Sequence, residues 1–306
     1  MFVYVFLIAL LGLLFYVVIP VIFIILEYTI GPKLFGKRKQ LRKAGQWAVI
    51  TGASDGIGKA FAQELASDGL DVMLISRSAG KLEALATELR MTYGVSVKYI
   101  AVDFTQENIY DDIRKEVDAL SSIACLVNNV GMVNVSPMEF CFEEGMCVDK
   151  IHDYIACNCL SMAAMTHIVL PRLVAQKSGA ALINLASFTS IQPLPYISLY
   201  TGTKAFVRQL SESLKPEVRG CNVLVHTIYP MYVATSMVGR RRGFWVISPT
   251  QCARSSLDML GVNSFCTGHL IHELQTYYFS FLPQSSFNHS MEQKLKRARQ
   301  RALKTE

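Results

Sequence analysis

"WAVITGASDGIGKAFAQELA", Trp47 to Ala66, passes from a short apolar run through a glycine-rich turn into an amphipathic stretch. Gly52, Gly56 and Gly58 follow the spacing TGxxxGxG. Glycines at such a turn let the backbone bend sharply and come close to an anion. The helix that starts near Ile57 points its N-terminus, and hence its free N–H groups, at the same place. Strand, turn and helix in this order form a cradle for the pyrophosphate of a dinucleotide. The residues assigned to it are Gly52, Ser54, Asp55, Gly56, Ile57 and Gly58.

The pattern continues outward from this unit. Further strands are expected at 71–76, 97–102, 124–128, 180–186 and 222–228, with helical patterns near 57–67, 80–92, 107–119, 150–175 and 199–218. Strands that read as continuous apolar runs, separated by helices, indicate a parallel sheet covered on both faces. The fold class is therefore α/β, a Rossmann-type doubly wound parallel sheet. Pro216 is expected to end or bend the last of these helices.

Ligands of such sheets bind at the carboxyl ends of the strands. The second strand ends "LISRS", with Arg77 where a site for NAD has a carboxylate. A guanidinium there grips a 2′-phosphate, which points to NADP. The third strand ends at Asp103, placed to accept from an adenine amine, and Thr105 is expected to cap the next helix. The fourth ends "LVNNVG", which puts Asn128, Asn129 and Gly131 at the same edge.

The fifth strand delivers Ser187 to this edge, and the helix after it carries Tyr200 and Lys204 in "SLYTGTKAF". A step of four puts the tyrosine and lysine on one helix face. A free phenol titrates near pH 10, and a nearby ammonium is expected to draw that value down. Tyr200 is then the proton donor to a carbonyl oxygen that receives hydride at carbon, and Ser187 holds that oxygen.

Residues 1–26 carry no charge and are long enough to cross a bilayer. The segment lacks the basic start and small-residue cleavage site of a signal peptide, so a retained transmembrane helix is expected. Lys33, Lys37, Arg38, Lys39, Arg42 and Lys43 follow it, and the positive-inside rule places the rest of the chain in the cytosol. Glycan on Asn134 or Asn288, both in sequons, would contradict that topology. Basic clusters at both ends of the chain fit a membrane surface rather than a nucleic acid. The eight cysteines follow neither a disulfide framework nor a zinc spacing, so free thiols and no metal are expected.

TGxxxGxG, NNxG and Ser–YxxxK in this order resemble the short-chain dehydrogenase/reductase family over about residues 46–275. The resemblance implies that Asn158, in "IACNCLSM", is a fourth catalytic residue ordering a water relay behind Lys204. It implies that Lys204 and Tyr200 also touch the cofactor, and that Asn129, Gly131, Pro230, Val233 and Thr235 help bind it. Met231 stands where that family commonly has glycine. The anchor with "LISRS", "LVNNVGM" and "PMYVAT" is similar to the microsomal branch, which holds 17-beta-hydroxysteroid dehydrogenases and very-long-chain 3-oxoacyl-CoA reductases. The likeness implies NADPH, an endoplasmic reticulum membrane location with the catalytic domain facing the cytosol, and a homodimer paired through long helices.

Apolar segments at 132–150, 188–197 and 231–249 suit a lipid or steroid substrate; the first holds Met138, Phe140, Phe142 and Met146. Arg240, Arg241 and Arg242 are either a site for coenzyme A phosphates or a solvated or membrane-touching basic loop. A 3-oxoacyl-CoA is the first substrate reading and a ketosteroid the second, with a membrane-tethered binding protein on an inactive fold as the alternative of another class. The chain divides into an anchor (1–27), a basic linker (28–45), the NADP-binding reductase domain (46–275) and a C-terminal interfacial segment with a basic tail (276–306). Residues 265–283 are apolar but contain His269, His272 and Glu273, which fits an interfacial or pocket-closing helix rather than a second span.

Overall fold

The computed structural model describes residues 2–133, 147–238 and 243–302. Its core is a sheet of seven parallel strands: β1 Trp47–Thr51, β2 Asp71–Ser76, β3 Val97–Ala101, β4 Ile123–Asn128, β5 Ala180–Leu185, β6 Val223–Ile228 and β7 Phe265–Cys266. Their order is β3-β2-β1-β4-β5-β6-β7. The chain starts in the middle, winds outward to β3, then returns past β1 to wind the other way. The reversal falls between β1 and β4, and a crevice opens there at the carboxyl edge.

β1, β4 and β5 are buried along their whole length. This is why they read as unbroken apolar runs and not as alternating ones. One face is closed by Phe61 and Leu65 of helix Gly56–Ser67, by Leu82, Leu85 and Leu89 of helix Ala79–Tyr93, and by Leu257 of helix Pro249–Asp258. The other face is closed by Ile113 and Val117 of helix Tyr110–Asp118, Met165, Val169 and Leu173 of helix Ser161–Ala175, and Leu214 of helix Ser198–Glu217. Pro216 lies in the last turn of Ser198–Glu217, at the end of that helix as expected.

β7 and helix Pro249–Asp258 had not been anticipated. β7 has only two residues, too few to show a period. Helix Pro249–Asp258 is polar in sequence and is set by its start: Ser248 and Gln251 form a reciprocal capping box and Pro249 opens the first turn. Thr105 does not cap a helix. The next helix begins at Tyr110 with Ile109 at the cap, and the Thr105 hydroxyl turns back to Asp103 Oδ1 at 3.0 Å.

At the N-terminus, helix Phe2–Leu13, a π turn Leu14–Val18 and helix Ile19–Thr29 follow one another. Leu10–Thr29 is long and apolar enough to cross a membrane and is a candidate span. Val148–Ala175 passes the same test of length and composition but is mostly buried in the core. Of the expected linker 28–45, the first two residues end helix Ile19–Thr29 and most of the rest forms two short helices, Gly31–Phe35 and Arg38–Ala44. Arg38 fixes them to the domain: its guanidinium reaches Asp68 at 2.7 Å, Glu64 at 2.8 Å and Asp258 at 3.1 Å. Glu64 is buried and also takes Arg254 at 2.8 Å. Burial alone would raise the Glu64 pKa, but the hydrogen bonds from Arg254 and Arg38 win and lower it. Such a carboxylate tolerates its site only while paired, and unpairing one costs ~3–5 kcal/mol.

Candidate active site

The glycine turn is built by exclusion of side chains. Gly52 has φ +64°, in the left-handed region, and a Cβ there would lie 2.7 Å from Asn129 Nδ2. A Cβ on Gly58 would lie 2.2 Å from the Gly52 carbonyl oxygen. Asn129, the expected cofactor contact, uses its amide to hold this turn: Nδ2 donates to Thr51 O at 2.9 Å and Gly52 O at 3.2 Å. Thr51, which the sequence had not singled out, completes the stitch. Its hydroxyl accepts from the backbone N–H groups of Asn129 (3.0 Å) and Val130 (3.1 Å). A polar residue closing an apolar strand, as in "WAVIT", was the available signal.

Asp55 caps helix Gly56–Ser67, accepting from Gly56 N at 2.7 Å, and its other oxygen accepts from Ser236 Oγ at 2.7 Å. The Ser54 and Ser76 hydroxyls meet at 2.8 Å. The Ile57 side chain packs against Val233 and Ile247. A Cβ on Gly56 would meet Thr235 alone, with its methyl at 3.0 Å. The helix N-terminus thus opens toward the loop after β6, which brings in Pro230, Val233 and Thr235. Val233 is buried and bridged to Ile247. Arg77, at the end of β2, has a side chain 80% exposed, 3.6 Å from Asp103 Oδ2. Asp103 Oδ1 is held by Thr105, so the pair stands open at the sheet edge.

At the other end of the crevice, Ser187 caps a single 3-10 turn, Phe188–Ser190, just beyond β5. Its side chain is hydrogen-bonded to Tyr200. Lys204 is buried, donates from Nζ to Leu185 O at 2.9 Å, and lies 5.9 Å from the centre of the Tyr200 ring. Gly131 leaves room for it: a Cβ there would be 3.3 Å from Lys204 Nζ and 3.4 Å from Asn158 Oδ1.

Asn158 sits in a π turn, Ala156–Leu160, inside the long core helix, and such turns often mark functional sites. Its Oδ1 accepts from Met132 N at 2.7 Å, and its Nδ2 donates to Met132 O and Thr203 Oγ1, both at 3.0 Å. The side chain ties the segment after NNVG to the helix that carries Tyr200 and Lys204. Asn128 is turned inward, to Asn184 at 2.9 Å and Thr166 at 3.0 Å.

One electrostatic expectation is corrected. Burial is the largest influence on the Tyr200 phenol and raises its pKa; the Ser187 hydrogen bond opposes it and nearby Tyr154 adds to it. The ammonium does not draw it below the ordinary value. Lys204 is instead the group brought down, to about 8, by burial. A raised phenol pKa keeps the proton on oxygen at neutral pH, which suits a donor. Lys204 is charged below pH 8 and loses its charge above it. We therefore expect kcat/KM for carbonyl reduction to fall with rising pH through a limb near 8, and Lys204→Arg to move that limb upward. A profile flat to pH 10 would contradict this assignment.

A parallel sheet with a topological switch, a glycine cradle at one side of the crevice and a Ser–Tyr–Lys group at the other defines an oxidoreductase of the Rossmann type. The short chain dehydrogenase family model matches residues 46–243. Very-long-chain 3-oxoacyl-CoA reductase of Bos taurus is 40% identical over 240 residues, 78% of this chain and 76% of its own. Homo sapiens 17-beta-hydroxysteroid dehydrogenase type 3 is 39% identical over 81% of this chain and 78% of its own. Among solved structures, a short-chain dehydrogenase from Sphingobium yanoikuyae in complex with NADPH matches with a TM-score of 0.62 at 28% identity, covering 70% of this chain and 83% of that one. The chain belongs to the short-chain dehydrogenase family and is an oxidoreductase acting on CH–OH groups.

Proposed function

We propose that the protein is a membrane-anchored, NADPH-dependent reductase of lipid ketones, with Tyr200 as proton donor. The observation that carries this reading is the convergence of Ser187, Tyr200 and buried Lys204 at the same sheet edge as the Gly52–Gly58 turn. The donor set fits the cofactor. The N–H groups of Ile57 and Gly58, at the start of helix Gly56–Ser67, suit a pyrophosphate, and the exposed Arg77 guanidinium suits a 2′-phosphate. Asp103 would take the adenine amine. Gly131, Pro230, Val233 and Thr235 would line the nicotinamide side, with Lys204 at its ribose.

NADPH, when bound, supplies the hydride that reduces the carbonyl carbon. Ser187 holds the carbonyl oxygen, and Tyr200 Oη gives it a proton, so that the ketone leaves as an alcohol. Lys204 and Ser187 then steady the phenolate until it is reprotonated. Asn158 would serve the proton supply, a role supported by its hydrogen bonds to Met132 and Thr203.

The first substrate reading is a long-chain 3-oxoacyl-CoA, supported by the 40% identity to the bovine reductase. The second is a ketosteroid, supported by the 39% identity to the human dehydrogenase. Of the apolar segments, Met132, Tyr232, Phe244 and Trp245 are described, whereas Met138, Phe140, Phe142, Met146 and Arg240–Arg242 lie outside the described residues, as does Asn134. Purified full-length protein given NADPH should turn over a 3-oxoacyl-CoA faster than a 17-ketosteroid. The reverse order selects the second reading, and turnover of neither rejects both.

Arg77→Asp should remove the 2′-phosphate partner and place a carboxylate against it. NADPH affinity is expected to fall at least tenfold, with the preference moving toward NADH. An unchanged ratio of the two affinities would refute the role of Arg77. The Leu10–Thr29 span and the basic residues after it support an endoplasmic reticulum membrane protein whose domain faces the cytosol. A homodimer remains the expected assembly.

A further inference from the structure

The second apolar segment, 265–283, does not stand clear of the anchor. Helix Leu270–Ser280 packs along the C-terminal half of the N-terminal helix. At its start, Glu273 Oε2 accepts from the Tyr28 hydroxyl at 2.8 Å. At its far end, the Tyr277 hydroxyl donates to the backbone carbonyl of Tyr16. Tyr16 lies about 18 Å from Tyr28 along a helix axis, well inside the Leu10–Thr29 span.

The Tyr16 carbonyl is a special acceptor. In an α-helix its partner would be the N–H of the residue four places on, and that residue is Pro20, which has none. The ladder there is already displaced into the π turn Leu14–Val18. In hydrocarbon, backbone groups freed by proline are satisfied by local π adjustment, as where Ile19 N reaches back five residues to Leu14 O, and by donors from neighbouring elements. Tyr277 supplies one such donor from the catalytic domain. A hydroxyl bonded to the carbonyl of a residue inside a span must itself lie at hydrocarbon depth.

The same side of the domain is apolar. Tyr278 is 60% exposed and Phe281 50%, beside an exposed Leu282. Phe244 is 79% exposed and its neighbour Trp245 is about half so; the Trp245 backbone faces the His272 ring on this helix. The opposite face of the helix runs to the reactive centre. Phe279 packs on Phe188, ring centres 6.0 Å apart, and Phe188 follows Ser187 directly.

We propose that helix Leu270–Ser280 is embedded in the bilayer beside the anchor, so that the domain sits partly sunk in lipid and its substrate enters from the hydrocarbon. The occupant of the Tyr278–Phe281 face is the acyl region of the membrane. Its continuity with the span, through Tyr28, Tyr277 and the Pro20 gap, selects lipid over a second protein. The proposal rests on the reading of Leu10–Thr29 as an inserted span, and the test separates the two.

Full-length protein in vesicles of phosphatidylcholine bearing clickable acyl chains would carry p-benzoylphenylalanine in place of Tyr278, Phe281, Phe15 or Met91, one at a time. Phe15 reports on the span, and exposed Met91, on helix Ala79–Tyr93, reports on the water-facing surface. Irradiation is expected to give lipid adducts at 278, 281 and 15, and at least tenfold less at 91. Adducts at 15 with none at 278 and 281, or crosslinks from 278 to a second copy of the chain, would overturn the proposal while leaving the anchor intact. No adduct at 15 would overturn both.

Discussion

Tyr200→Phe is expected to abolish measurable reduction while NADPH binds as before. The substitution removes one oxygen from a ring whose hydroxyl is bonded to Ser187, and leaves the helix Ser198–Glu217 and its lysine in place. Loss of a positioned general acid lowers kcat by about 10²–10⁴-fold. The raised pKa sharpens the expectation, because at neutral pH the wild-type phenol holds its proton and an unpositioned water is a poor substitute. Cofactor affinity, read from NADPH fluorescence, should stay within about twofold, since Phe keeps the ring and the route to Lys204. Retained turnover would remove Tyr200 from the acid role. It would also favour a donor the sequence does not single out, with Tyr154, whose phenol acts electrostatically on Tyr200, as a candidate.

Gly58→Ala strikes the other end of the crevice. A methyl there would lie 2.2 Å from the Gly52 carbonyl oxygen and 2.4 Å from Asn129 Nδ2. Neither neighbour can yield easily. The first is backbone, and the second is bonded to Thr51 O and Gly52 O. The helix start must move away from the turn, and with it the N–H groups placed for the pyrophosphate. A misplacement of about 1 Å costs on the order of 100-fold in rate where groups must be aligned, and we expect NADPH affinity to fall at least tenfold as well. Gly80→Ala is the control. It lies on a helix with nothing within 4 Å of the new methyl, and should leave affinity unchanged. Circular dichroism on both variants separates a local change from unfolding. NADPH affinity within twofold of wild type in Gly58→Ala would mean that the cradle does not hold the cofactor.

The parts of the site that could be read from sequence are those in which one element carries the whole message. Tyr200 and Lys204 share a helix and a four-residue step; Gly52 to Gly58 share a turn. The strand bounds of β1 and β2 were legible because both strands are apolar along nearly their whole length and flanked by glycine or charge. What escaped depends on distant partners. Asn129 was assigned to the cofactor, yet its amide is spent on the backbone at Thr51 and Gly52, more than seventy residues away. The direction of the Tyr200 pKa turned on how deeply packing buries the phenol, which no local pattern encodes. β7 is a two-residue edge held by β6. The C-terminal helix Gln284–Ala302 reads as a basic tail, but Phe287 and Leu295 are buried, and Phe287 packs on Phe188, the residue after Ser187. Two apolar residues in a basic sequence gave no sign of that contact.

The account stands most directly on one transfer. Purified full-length protein in lipid vesicles would be given a long-chain 3-oxoacyl-CoA and NADPH deuterated on the transferable position of the nicotinamide, and the product mass read by mass spectrometry. The account predicts a 3-hydroxyacyl-CoA carrying one deuterium on carbon from the wild type, and none above background from Tyr200→Phe. An unlabelled product, or equal labelled product from both proteins, would contradict it.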